Sequence, residues 1–483
     1  MRTIGGSRRK GSVAILLALL TSASIVGVQA ARAESLLDAV ADAYRYNPRL
    51  DAERARLRAT DEEIARAHSG YRPQVNLDAD FARERQEVRP DLGQSGNSSP
   101  RGYSVQLVQP VFRGFQTMNA VSEAESLSRA GRETLRSVEQ DVLQTAVQSY
   151  GDVVRDQAIV RLRENNLEFL SQELKATQDR FAVGEVTKTD VAQAQARRAL
   201  AISELDLARA NLKTSRAQYE QVVGHAPGKL SEPNPRTKLL PRSLDEAIGI
   251  SSKENPTVVG ALYREQAGRF TVDRIRGELL PQAQLEATFS DRYDPGQSIE
   301  RAETTSIVGR VHVPIYTGGE VEARVRQAKH THISYMQEIE QARAQAQATV
   351  VQAWAQLEGF KAQLESDKAQ IEANRTALNG VREEEKVGQR TLLDVLNARQ
   401  ELLNSEVQQE TSRRNVLVAT YAVIGAIGRL SVGELGAVAT VYDPEVHADE
   451  IRRKWYGIDI THDDGSSEHH DFWDARKDHD PVK

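Results

Sequence analysis

Two long stretches of this chain contain no proline. Of its 15 prolines, none falls between 111 and 226 or between 315 and 443. A proline inside a helix removes a backbone donor and clashes with the preceding turn, so such gaps allow unusually long helices. Both gaps are rich in the helix-favouring residues Ala, Gln, Glu, Arg and Leu. Residues on one helical face step by three and four: Leu167, Leu170, Leu174, Thr177 and Phe181 in the first, Ile371, Leu378 and Val381 in the second. A helix from Gln116 to Phe181 would be about 100 Å long, a strut rather than a core helix. The stripe is weaker than in a simple coiled coil. AQAQATVVQAWAQ (344–356) mixes small and polar residues all round, which suits a solvated coiled-coil face as well as a tunnel wall.

Each strut ends in the same short pattern. Residues 183–194 read VGEVTKTDVAQA and 387–398 read VGQRTLLDVLNA, in register at an offset of 204. A Gly just past a long helix supplies its left-handed terminal residue. Three residues later Thr can cap the next helix, and an acid three further on completes a capping box. Each copy is therefore the tip of a helical hairpin.

The segments before the struts repeat too. Asn47-Pro48 and Asn255-Pro256, at an offset of 208, place Asn as N-cap and Pro at the first helical position. After Pro73 and Pro281 the period changes. VNLDADF (75–81) and AQLEATF (283–289) alternate strictly, and YSVQLVQPVF (103–112) and IVGRVHVPIY (307–316) alternate in part. PDLGQSGNSSP and DPGQSIERAE lie between them, so two β-hairpins with long polar loops are expected. Apolar residues on one face with Asn76, Asp78 and Asp80 on the other suit strands between lipid and water; a half-buried sheet of a soluble domain is the alternative. Four strands are too few for a membrane barrel of about eight or more, so a barrel would need several chains.

The chain opens with a targeting pattern: Arg2, Arg8, Arg9 and Lys10, an apolar run from Val13, then Ala31-Arg32-Ala33 as a cleavage site, with Ala30 as the alternative end. Removing 1–33 takes away five basic residues and no acid, so the net charge becomes −6 − 5 = −11, the wrong sign for nucleic acid. There is no cysteine, hence no disulfide and no acyl-anchor site. The expected division is a signal peptide (1–33), repeat 1 (34–240; β-hairpin about 74–112, helical hairpin about 115–224), repeat 2 (241–440; about 282–316 and 319–428) and a polar, disordered tail (441–483).

This layout resembles the TolC-type outer-membrane factors over roughly Ser35 to Leu430. The likeness is most specific in VPIYTGGEVEARVRQA (313–328) and VGQRTLLDVLNARQELLNSE (387–406). The resemblance implies a mainly α chain with a membrane β-barrel. It implies a homotrimer in outer-membrane lipid, with four strands per chain in a twelve-stranded barrel continued by a helical periplasmic tunnel. A periplasmic adaptor and an inner-membrane ABC or proton-driven transporter would dock at tips that taper shut, making an exit duct for type I protein secretion, drug efflux or both. Matching positions put the constriction at Asp394 and Asn397, and the closing links at Arg390 with Thr189 and Asp190. They put the adaptor contact at Val183, Gly184, Thr187, Val387, Gly388 and Thr391. Two positions depart from the pattern. Asn397 replaces a second Asp of enteric relatives, and Glu385 replaces an aromatic, which could substitute a charge pair with Arg390.

Other readings of the residues stay open. Asp190 and Asp394 are also explained as helix caps, whereas Asn397 has no capping role. A periplasmic coiled-coil adaptor or scaffold without its own barrel would share the struts. GHAPGK (224–229) has the wrong spacing for a phosphate loop and reads as a helix-ending turn. His469 and His470 lie in an acidic tail without metal-site spacing, so no metal or cofactor is expected, and no grouping points to an enzyme.

Overall fold

The computed structural model describes residues 33–90, 95–296, 299–437, 441–460 and 462. The targeting segment and the paired histidines of the tail lie outside them.

The duplication is visible element by element. In the first half, α1 (Leu36–Tyr46) and α2 (Pro48–His68) lead to β1 (Gln74–Phe81), the short β2 (Glu84–Gln86) and β3 (Gly96–Ser98), and β4 (Arg101–Arg113). Two long helices follow, α3 (Gln116–Ala182) and α4 (Lys188–Val223). The second half repeats this as α5 (Leu244–Glu254), α6 (Pro256–Arg276), β5 (Gln282–Gly296), β6 (Ile299–His312), α7 (Glu320–Lys386) and α8 (Leu392–Ala426). Both struts, α3 and α7, have 67 residues, or about 100 Å. Their return helices have 36 and 35. Among the described residues, no helix is long and apolar enough to cross a membrane.

The Asn-Pro breaks have two functions each. Asn47 and Asn255 cap α2 and α6 by accepting from Arg49 N (3.0 Å) and Thr257 N (2.9 Å). Their amide nitrogens donate to Val222 O (3.1 Å) and Ala426 O (3.0 Å), at the far ends of α4 and α8. One residue type thus turns the chain and satisfies a helix-terminal carbonyl that has no partner in its own helix. Gly428, at φ +92°, lies so close to Glu254 that an added Cβ would stand 2.5 Å from its carbonyl oxygen. The main core gathers here, where α1, α3, α4, α8 and the short α9 (Val432–Leu435) meet around the buried Tyr150, Tyr219 and Tyr421.

Beyond the starts of α3 and α7, four strands form one antiparallel sheet, β1-β4-β5-β6, and β2 and β3 pair with each other. Directly opposed residues share a face. One face carries the rows Leu77, Val105, Phe289, Thr305 and Val75, Leu107, Ala287, Ile307, apolar but for Thr305. The other carries Asn76, Gln106, Thr288, Ser306 and Asp78, Ser104, Ser290, Thr304. The register shifts between Pro110 and Phe112, and this extra residue brings Phe112 opposite Ala283, onto the apolar face. Leu77 and Phe81 are more than two-thirds exposed on the single chain (70% and 76%), so this face lacks a protein cover.

Three expectations change. The return strand after 307 ends at His312, not Tyr316, because Pro314 has no donor to extend the ladder. DPGQSIERAE is mostly strand, since β5 and β6 pair as far as Gly296 and Ile299, with Arg301 gripping Asp291 by two 2.9 Å bonds across the ladder. The tail expected to be irregular from 441 contains α10 (Pro444–Arg453), which packs Ala448 against Ile64 and Ala124 and pairs Glu445 with Arg132 (2.7 Å).

Candidate functional site

The two tips share a backbone. Gly184 (φ +83°) and Gly388 (φ +76°) take the left-handed conformation with open space around them, so the turn alone requires glycine. Glu185 N donates to Arg180 O (3.0 Å) and Gln389 N to Glu384 O (2.9 Å), closing both strut ends by the same long-range turn bond. Thr187 and Thr391 then start α4 and α8. Asp190 N and Asp394 N each donate to the threonine hydroxyl at 3.3 Å, and each carboxylate accepts back from the threonine N (2.9 and 3.0 Å) and hydroxyl (2.7 and 2.8 Å). These bonds hold both carboxyls below the usual carboxylate range: the Thr187 hydroxyl leads for Asp190, the Thr391 backbone for Asp394. Each acid is ionised and already bonded within its own tip.

Charges then tie tip to tip. Arg180 at the end of α3 donates to Glu385 Oε1 on α7 (2.8 Å), while Arg390 donates to Glu384 Oε2 (3.0 Å). Arg197 on α4 donates to Asn397 Oδ1 on α8 (2.6 Å). The expected pair of Glu385 with Arg390 is therefore replaced. Successive helical residues point about 100° apart, so Glu385 faces α3 while Glu384 faces the loop holding Arg390. Within the chain, the hydrogen bonds of Arg390 among the described residues do not reach Thr189 or Asp190; Thr189 is exposed. Arg180, Arg197 and Glu384 are participants that sequence reasoning missed. One signal was available: Arg180 and Glu384 occupy equivalent positions at the offset of 204 with opposite charge.

Above the tips the packing is thin. Leu170, Ala194, Ala201, Leu392 and Leu396 form one small cluster, and Ile371, Leu378, Val395 and Leu402 another. Beside them the guanidiniums of Arg382 and Arg399 lie 5.1 and 5.3 Å from the Phe169 ring. Val183 and Val387 project from the turns, 73% and 70% exposed. Among the described residues, Glu34, Asp42 and His225 alone bring three potential metal-ligand atoms within 4.8 Å of one another, far from the tips. Burial works against charge on His225, but Ala226 O, Glu34 and Asp42 outweigh it and raise its pKa, as in an ion-paired imidazolium.

The family profile for outer membrane efflux proteins matches residues 39–225 and 248–429, both repeats. The chain belongs to the outer membrane efflux protein family. It is 37% identical over 445 residues to the outer membrane efflux protein BepC of Brucella suis, spanning 92% of this chain and 96% of that one. It is 25% identical over 438 residues to the outer membrane protein TolC of Escherichia coli, spanning 88% of each. The fold matches the CmeC outer membrane channel of Campylobacter jejuni with a TM-score of 0.74, at 16% identity, over 86% of this chain and 89% of that one. The chain is thus an efflux or secretion channel of the Gram-negative outer membrane, with its helices extending into the periplasm as a tunnel. The family consists of channels, and the scaffold without a barrel is set aside.

Proposed function

We propose that three copies of this chain close one twelve-stranded barrel, and that the hairpin tips form its periplasmic gate. The carrying observation is the sheet itself: one face apolar, one polar, and the outer edges of β1 and β6 each unpaired among the described residues. Hydrocarbon tolerates no open sheet edge, so β1 of one copy must pair with β6 of the next. Three four-stranded sheets make a cylinder with a watery lumen.

The tunnel then converges on the tips. There Asp394 and Asn397, one turn apart on α8, line the narrowest ring. Arg390 of one copy faces Thr189 and Asp190 of the next, and Arg180–Glu385 and Arg197–Asn397 fasten the hairpins inside each copy. The exposed turns at Val183, Gly184, Thr187, Val387, Gly388 and Thr391 receive a periplasmic adaptor. An inner-membrane transporter, ABC-type or proton-driven, supplies the energy. The duct serves type I secretion, drug efflux or both, since one lumen passes either cargo.

Planar-bilayer conductance of the purified protein tests this, wild type beside Asp394→Ala and Asn397→Ala. Small, mostly closed wild-type events, larger ones in both variants and cation preference are expected. Large wild-type currents unaffected by either substitution would reduce Asp394 to a helix cap. A well-folded protein that never inserts would overturn the barrel.

A further inference from the structure

The apolar face of the sheet has an aromatic border at each end. Tyr103 and Tyr293 mark the end away from the helices, and Phe112 marks the helix end. On the regular partner strand, the eight steps from Asp291 to Ala283 span about 27 Å, or about 19–22 Å at the usual barrel tilt, near the height of an outer-membrane apolar band. Phe112 therefore sits at the periplasmic membrane boundary. Tyr71 and Arg72 lie at the same level, because Tyr71 O accepts from Gln109 Nε2 at 3.0 Å.

A distant part of the chain arrives there. Helix α10 runs along α2, and the residues after it reach Arg72. Its Nη1 lies 3.4 Å from Trp455 O, and its guanidinium stands 4.9 Å from the Trp455 ring centroid. From 455 to 460, Trp455, Tyr456, Ile458 and Ile460 are all exposed, Tyr456 at 89%. Next to Arg72, Tyr71 shares a groove with Val111 and Phe112, and all three are exposed. Exposed apolar side chains in one six-residue segment, beside the border that the proposed barrel turns to lipid, need a cover of matching chemistry.

We propose that residues 455–460 are an interfacial anchor lying in the periplasmic leaflet of the outer membrane. Trp455 and Tyr456 occupy the headgroup layer, where amphipathic rings concentrate. Ile458 and Ile460 turn toward the acyl chains, and Arg72, with Arg453 at the end of α10, faces lipid phosphate. The anchor would give each subunit a second hold on the bilayer outside the barrel, in a chain without a cysteine to acylate. It adds to the channel function and leaves the gate untouched.

Because the chain lacks cysteine, one introduced thiol is a unique label site. Full-length Tyr456→Cys and Ile460→Cys, spin-labelled and reconstituted in phosphatidylethanolamine–phosphatidylglycerol vesicles, would be compared with Val446→Cys on the exposed face of α10. Conductance of each labelled protein first confirms an assembled channel. The ratio of collisions with oxygen to collisions with an aqueous nickel chelate should be several-fold higher at 456 and 460 than at 446. Equal access of the nickel chelate at all three sites would overturn the anchor. So would labels shielded from both reagents, which would put the segment against protein, either a second copy or a partner.

Discussion

The return helices α4 and α8 are held by different forces at their two ends. Where the Asn-Pro breaks meet α4 and α8, Tyr150, Tyr219 and Tyr421 are sunk among Leu143, Val147, Val153 and Ile424, and the Tyr150 hydroxyl lies 2.7 Å from Ser231 O. At the tips, apolar contact has shrunk to two small clusters, and the links are caps and partly exposed charge pairs. Core burial is worth several kilocalories per large side chain, whereas exposed pairs contribute about 0–1 kcal/mol. The first end is built to stay. The second is held far more weakly.

Substitutions can break or sharpen that contrast. The largest effect is expected from Leu143→Ala, which empties a fully buried site and should cost about 2–5 kcal/mol, read as a lower thermal midpoint in detergent. Equal loss from a tip substitution would erase the distinction. Thr391→Ala removes one capping box and should cost about 1 kcal/mol. Its signature is faster amide exchange confined to the first turn of α8, with the global midpoint nearly unchanged. Arg180→Gln should cost less than about 1 kcal/mol, because its partner Glu385 is shielded but Arg180 is 43% exposed. Its readout is channel open time, which should lengthen while the midpoint holds.

The smallest effect concerns acidity. Asp190 and Asp394 have folded-state pKa values lowered by their caps. Their contribution is therefore complete above the unfolded value of about 3.9 and is lost as pH falls through the lower folded value. Amide exchange at both first turns, corrected for intrinsic pH dependence, should rise only in that acid window. Thr391→Ala should remove the rise at α8 and leave it at α4.

Much of the fold was legible because its determinants are local. Proline spacing announced the struts, Asn-Pro the breaks, Gly-x-x-Thr the tips and strict alternation the strands, each readable within about ten residues. What escaped depends on distant phase. Whether Arg390 meets Glu384 or Glu385 depends on how α7 is rotated against α3, some two hundred residues away. Arg197 and Asn397 come from different hairpins and share no motif. The bulge after Pro110 reads in the sequence as imperfect alternation, because it is defined by the pairing of Phe112 with the distant Ala283. Helix α10 was missed because only Ala448 and Ile451 are buried in ten residues, with ion pairs supplying much of its attachment.

The unpaired outer strands have a genetic consequence. A cylinder sealed by three β1–β6 seams is only as sound as its worst seam. In a cell making equal amounts of intact chain and a chain crippled at β1, random assembly leaves about one duct in eight free of the defect. A lesion there would behave as dominant, whereas a lesion in substrate supply upstream would be masked by the good copy.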